Sequence, residues 1–302
     1  MSGMNTLNRK LCAVTIVSVA LCIFSLLPVV SRRTAPRWKK SALLNPASRA
    51  LAEEIELQRE NSLITIKKMS GTGAGKPELW TVSDGALCML ADEKLAESLL
   101  GNLIKGRKLY TKIYSDDTGG LCPQPSVSLS VKNSVKMYTK LDFFASNSLT
   151  NRIVLRGGTP PNFFEIDDDL SQFLQTSVRF WEKSELIQTI SEPIYCFFEE
   201  KGQKSAFFSE KNDDFAKKVH EISILRHGDV HPPADVSGLE AAANLVVSDA
   251  EGQREEIAFY PLDGGSYRCA YRFSNPLFSE RLRFEAEISG WTYDRLKAIF
   301  AR

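Results

Sequence analysis

The chain has three histidines, all between positions 220 and 231: His220, His227 and His231, with Asp229 between the last two. In an extended segment residues 227, 229 and 231 project to one side, an arrangement that suits metal ligation and would make a metal-dependent hydrolase. The surrounding Arg226-His227-Gly228-Asp229-Val230-His231-Pro232-Pro233 reads as a mobile connection, however, and a mobile connection does not hold ligands in place. A Ser-His-Asp site would need one of the same histidines, and no G-x-S-x-G elbow is present to receive it. The carboxylate pairs Glu199-Glu200, Asp213-Asp214 and Glu255-Glu256 are adjacent, so strand alternation sends their members to opposite faces; they read as solvated edges. Asp167-Asp168-Asp169 precedes Leu170, Phe173 and Leu174 and fits the start of a short helix, whose positive end favours acids, better than a metal site. Ser70-Gly71-Thr72-Gly73-Ala74-Gly75-Lys76-Pro77 approaches a phosphate loop, but Ser70 stands where the first glycine belongs and Pro77 where a magnesium-binding hydroxyl belongs. It reads as a hairpin tip. Cys88, Cys122, Cys196 and Cys269 are widely spaced with no C-x-x-C, and two disulfides or four buried thiols fit equally. No catalytic, cofactor-binding or metal-ligating residue is assigned, no cofactor is expected, and the chain is expected not to be an enzyme.

The elements around these residues are short. Leu63 to Ile66 and Glu78 to Val82 read as a strand pair, and Asp92 as the cap of a helix burying Leu95, Leu99, Leu100, Leu103 and Ile104. Strands follow at Val127 to Val131, Met137 to Ala145, Arg152 to Arg156 and Asn162 to Ile166, with Gly157-Gly158-Thr159-Pro160-Pro161 turning between the last two. After Pro193 strands are expected at 194–199, 205–209, 220–225, 244–247, 256–260, 267–273 and 282–288, then a helix from Thr292 to Phe300. This is α+β: antiparallel sheets with short helices packed on one face, the pattern occurring twice. The doubled aromatics Phe143-Phe144, Phe163-Phe164, Phe180-Trp181, Phe197-Phe198 and Phe207-Phe208 must face both ways in a strand. Either both sheet faces are covered or one presents an apolar docking surface.

From Leu11 to Val30 the sequence runs without a charge, long enough to span a bilayer as a helix. The run exceeds a signal-peptide core and ends without a small-x-small cleavage site, and Leu21 argues against lipid attachment at Cys22. An uncleaved anchor is expected. Arg9 and Lys10 precede it; Arg32, Arg33, Arg37, Lys39 and Lys40 follow, a count that places the C-terminal side in the cytoplasm. A short tail before a large domain behaves as a signal anchor, and on that ground the domain is expected outside the cytoplasm, periplasmic and held at the inner membrane by a single span. The basic cluster, with Trp38 at the interface, suits either anionic headgroups or a solvated linker. The expected organisation is a tail at 1–10, an anchor at 11–30, a basic linker at 31–45, an α+β domain at 46–190 and a β-rich α+β subdomain at 191–302. A formal net charge of +1 leaves no electrostatic footprint for nucleic acid.

Three segments together carry a resemblance: Ala42-Leu43-Leu44-Asn45-Pro46 leading to Trp80; Ala91-Asp92 opening a helix that ends before a basic turn; and Arg152 to Leu155 with Phe163 to Asp167 ahead of Phe180-Trp181-Glu182-Lys183-Ser184-Glu185-Leu186-Ile187. A looser echo follows at Ile288-Ser289-Gly290-Trp291-Thr292-Tyr293. This resembles the uncharacterised domain family often encoded beside gliding-motility-type ABC transporter components in bacteria, whose members carry one N-terminal membrane helix. The resemblance transfers no catalytic residue. It implies an accessory or assembly subunit whose partner is a protein of an ABC-type membrane complex. An extracytoplasmic ligand-binding module, its small-molecule ligand unknown, and an envelope structural protein are the alternatives.

Overall fold

The computed structural model describes residues 38–69, 79–111, 125–144, 152–157, 162–209, 214–234 and 239–301. The apolar run at 11–30, the glycine-rich segment at 70–77, Cys122 and the turn residues 158–161 lie outside the described residues. Among those described, no helix is long and apolar enough to cross a membrane.

The fold is α+β and built on antiparallel sheets. The first contains β1 (Trp38–Ser41), β2 (Glu54–Arg59), β3 (Ser62–Met69), β4 (Leu79–Ser83), β5 (Cys88–Leu90), β6 (Arg107–Thr111), β7 (Val127–Lys132), β8 (Met137–Phe143), β9 (Arg152–Gly157) and β10 (Asn162–Asp167). Their order across the sheet is β1-β6-β10-β9-β8-β7-β2-β3-β4-β5. The second contains β11 (Tyr195–Glu200), β12 (Gln203–Phe208), β13 (Val230–His231), β14 (Ala243–Ser248), β15 (Arg254–Pro261), β16 (Tyr267–Phe273) and β17 (Glu285–Ile288), ordered β12-β11-β14-β15-β16-β17-β13. The helices are α1 (Pro46–Arg49), α2 (Glu93–Ile104), α3 (Val178–Trp181), α4 (Phe215–Ser223), α5 (Pro276–Arg281) and α6 (Gly290–Phe300).

Alternation decides which face each sheet buries. In β2, Ile55 and Leu57 are fully buried, while Glu54 and Glu56 turn away and pair with Lys132 at 3.1 and 2.8 Å. Such partly exposed pairs each contribute about 1 kcal/mol or less, so burial of the apolar row sets the register. On α2, Asp92 Oδ1 accepts the N–H groups of Lys94 (2.8 Å) and Leu95 (3.4 Å), and Ala96, Leu99, Leu100 and Leu103 pack under the sheet. The second core sets Cys196, Phe198, Leu245, Val247, Ile257, Phe259 and Cys269 against Phe215 and Ile222 of α4 and Tyr293, Leu296, Ile299 and Phe300 of α6. The cores meet. Phe273, Phe278, Leu282 and Phe284, late in the chain, belong to the first core, and Cys88 and Arg283 exchange backbone hydrogen bonds of 3.2 and 2.7 Å.

Several elements differ from the sequence expectation. Residues 220–225 are not a strand: His220 to Ser223 complete α4, because Phe215 and Ile222 sit two turns apart on one buried stripe. The strand expected from Leu282 begins at Glu285, and Asn275-Pro276 is a helix start. Asn275 Oδ1 accepts the Leu277 N–H at 2.9 Å, with proline in the first turn of α5 where its missing donor costs nothing. Residues 38–41, counted with the basic linker, form β1, and the basic turn after α2 continues into β6. The short helix expected after Asp169 is one 3-10 turn, Ser171–Phe173. Asp168 accepts from the Ser171 N–H, while Asp167 lies near Arg152 and Asp169 pairs with Arg107.

Candidate functional site

The four residues with metal-ligand spacing go to four different environments. His220 is exposed on α4. His227 is buried, its ring nitrogens each 3.2 Å from a backbone carbonyl, those of Gly228 and Lys183; burial lowers its pKa and these hydrogen bonds oppose the shift. Asp229 pairs with Arg179, and His231 Nε2 lies 3.0 Å from Glu287 Oε1. The segment is not a mobile connection. The N–H of His227 bonds Ser184 O at 3.0 Å, that of Gly228 bonds Glu287 O at 2.6 Å, and Val230–His231 forms the edge of the second sheet. Among the described residues no group of three or more His, Cys, Asp or Glu is placed to hold a metal ion.

Glu255 is likewise not a solvated edge. Alternation does separate it from Glu256, which faces Arg254 at 2.8 Å on the outer surface. Glu255 turns inward and is fully buried, where its carboxylate accepts the Gln188 N–H (2.9 Å), the Thr189 N–H (2.8 Å) and the Thr189 hydroxyl (2.8 Å). Loss of hydration raises its pKa and outweighs the three donors. The segment it holds is the connection between the sheets. There Lys183 donates to Gln188 O at 2.5 Å, with burial pushing its ammonium pKa down, and Tyr271 OH donates to Leu186 O at 3.1 Å. Glu182, at the start of this connection, is pushed up to about 7 by burial, opposed by Arg179 and reinforced by Asp229. Glu200, the other carboxylate misread as an edge, ties β11 to α6 through Tyr293 OH and Lys297 Nζ, both at 2.9 Å.

Beside this connection a cleft of about 580 Å³ opens between the β2–β3 turn, the start of α3 and the edge strand β13. Asp84, Ser177, Arg179, Asp229 and His231 line it with Leu63 and Val230. Arg179 and Asp229 satisfy each other, and the cleft has room for a polar molecule. Cys88, Cys196 and Cys269 are free thiols. Burial pushes Cys196 up to about 12, which leaves it protonated and inert.

The second sheet resolves the doubled aromatics by splitting each pair. Phe198 and Phe207 enter the core; Phe197 and Phe208 face the other way and gather around Tyr195, with ring centroids 6.5 and 4.7 Å from it. Phe208 is 43% exposed and neighbouring Ile194 40%. The corner lies at a sheet edge, since among the described residues β12 pairs only with β11. The turn joining them, Lys201-Gly202, has both residues at positive φ (49° and 80°), which makes a tight two-residue hairpin. An open strand edge with exposed rings beside it can accept an extended segment of another chain. Elsewhere the doublets are absorbed: Phe143, Phe144 and Trp181 are buried, and Phe163 packs on Phe144 at 5.6 Å.

Comparison with family models, with curated proteins and with solved structures finds no match for this chain.

Proposed function

We propose that this chain is a membrane-anchored, non-enzymatic accessory subunit of an ABC-type, gliding-motility-like membrane complex, working through protein contacts. On this reading residues 11–30 are its single transmembrane helix in the inner membrane, and the sheets, with short helices packed on one face, stand in the periplasm. The observation that carries the protein-contact role is the corner formed by Tyr195, Phe197 and Phe208 beside the edge strand β12. It combines backbone groups able to pair with a strand and apolar area whose burial supplies affinity, the two requirements of strand addition. The transporter assignment rests on the resemblance in the three segments between residues 42 and 187.

A photo-crosslinking amino acid at position 208 of the intact, membrane-embedded protein tests this. The expected adduct contains an ABC permease or its ATPase and disappears in Phe197→Ser. Recovery of cell-wall material alone, or equal adducts from a crosslinker at Glu256 on the charged part of the same face, overturns the reading. Alkaline phosphatase fused after Arg302 is expected to be active; an inactive phosphatase and a bright cytoplasm-only reporter reverse the topology.

A further inference from the structure

Helix α6 covers the second core with Tyr293, Leu296, Ile299 and Phe300 and turns its opposite face outward. At about 100° per residue, Trp291 and Ala298 fall within about 20° of each other on that face, with Asp294 about 60° to one side of Trp291 and Arg295 about 40° to the other. Trp80 and Trp181 are buried, whereas Trp291 is 67% exposed, and Asp294 and Ala298 are exposed with it. Beside this stripe a groove of about 710 Å³ opens between α6 and α4, where Ile224 is 44% exposed. An exposed ring and an exposed branched side chain in one groove are apolar area available for burial against another surface. The ring is also held in place. Ser289 Oγ accepts the Thr292 N–H at 3.2 Å and caps α6, and Gly290 sits so close to the Gly265 carbonyl oxygen that a Cβ there would collide with it. The Arg295 guanidinium lies over the Trp291 ring, 5.4 Å from its centroid. A side chain ordered in advance loses little freedom on binding. Asp294 and Arg295 make no ion pair within 4 Å among the described residues. Asp294 reaches Lys297 at longer range, and that ammonium is bound to Glu200 at 2.9 Å.

We propose that the outer face of α6 is the contact between two copies of this chain, related by a two-fold axis running along the helix. Residues on the middle line then meet their own counterparts: Trp291 packs on Trp291 of the second copy, and the small Ala298 lets the two helices approach. Residues on the flanks meet the opposite flank, so Asp294 faces Arg295 of the second copy and Arg295 faces its Asp294. The adjacent acid and base select this occupant. A second copy satisfies both, whereas an anionic lipid surface would set its headgroups against Asp294. The contact is limited to about three turns of helix and the neighbouring Ile224. That is smaller than the roughly 800 Å² per partner of a standard interface, so association in the micromolar range is expected. Because α6 packs on the face of the second sheet opposite Tyr195 and Phe197, the contact is separate from the β12 corner and does not rest on the transporter assignment.

The test is sedimentation equilibrium of the full-length protein in non-ionic detergent across micromolar concentrations. The expected result is a monomer–dimer equilibrium that Trp291→Ala weakens at least roughly tenfold. Asp294→Arg and Arg295→Asp each set like charges against one another on both sides of the axis, and each should weaken the dimer to a similar extent. The double variant Asp294→Arg, Arg295→Asp should restore it to near the wild-type value. None of the three side chains is buried, so urea midpoints are expected to stay unchanged, which identifies any loss as a loss of contact. A monomer at every concentration overturns the proposal. So does a dimer indifferent to Trp291→Ala, which would assign association to the apolar run or to another surface. A double variant as weak as either single reversal refutes the charge pairing and with it the second copy. Flotation of the monomer with phosphatidylglycerol vesicles, lost in Trp291→Ala, would make lipid the occupant instead.

Discussion

Replacing Glu255 with alanine removes the acceptor for three buried donors at once: the N–H groups of Gln188 and Thr189 and the Thr189 hydroxyl. Each buried donor left unmade costs roughly 1–3 kcal/mol, which sets a ceiling of about 9 kcal/mol. Removing a carboxylate that is itself poorly solvated gives part of this back, and a net loss of about 3–5 kcal/mol is expected, the range for breaking one side of a buried polar network. Glu255→Gln retains an oxygen for the Thr189 groups, and about 1 kcal/mol or less is expected. The pH dependence has a definite sign. Because the folded pKa of Glu255 is raised above its ordinary value of 4.5, its contribution is most favourable below that value and is lost as pH rises through the folded pKa. The stability of the wild type relative to Glu255→Gln should therefore fall as pH rises. Urea unfolding of the full chain, followed by the fluorescence of the buried Trp80 and Trp181, measures all three proteins across pH. An alanine variant within about 1 kcal/mol of wild type, or a glutamine variant as damaged as alanine, refutes the account.

Asp92→Ala should cost about 1 kcal/mol by the same measurement, since it strips two N–H groups at the start of α2 of their acceptor, and Asp92→Asn should recover most of it. Glu182, with a folded pKa of about 7, gives stability that is present below its ordinary value of 4.5 and lost as pH rises through 7. Glu182→Gln should accordingly gain on the wild type between pH 5 and 8 in thermal melts, and parallel melting curves would count against this. Iodoacetamide at mildly alkaline pH should leave Cys196 and Cys269 unmodified in the native protein and label both in urea, as peptide mass mapping would show.

Elements whose signal is local were legible in the sequence. Asp92 caps α2 as its spacing implies, Tyr267–Phe273 is β16 end to end, and the apolar stripe of Leu296, Ile299 and Phe300 identifies α6. Local pattern failed where two periods coincide. His220 to Leu225 alternates well enough for a strand, and only the buried Phe215, beyond the short window, shows the helical period. It failed again where a partner distant in sequence decides. Nothing adjacent to Glu255 announces that the backbone of Gln188 and Thr189 will cover it, nor that β17 will capture Gly228 to His231 and turn a proline-rich loop into a sheet edge. The exposed aromatic corner was half visible: the doublets require rings on both faces, but which pair stays uncovered depends on β12 being outermost.

The sharing of the first core by late residues has a consequence for biosynthesis. A ribosome completes every strand of the first sheet by Asp167 and its last core tryptophan at Trp181, yet Phe273, Phe278, Leu282 and Phe284 are still to come. At about 5–20 residues per second this leaves the sheet without its final apolar cover for roughly 5–20 s. During that interval the first core lacks four of its buried residues, so the nascent chain has reason to be held by a chaperone or an export factor until residue 284 emerges. A stop codon placed between the sheets would make this interval permanent, and the truncated product is a natural target for proteolysis.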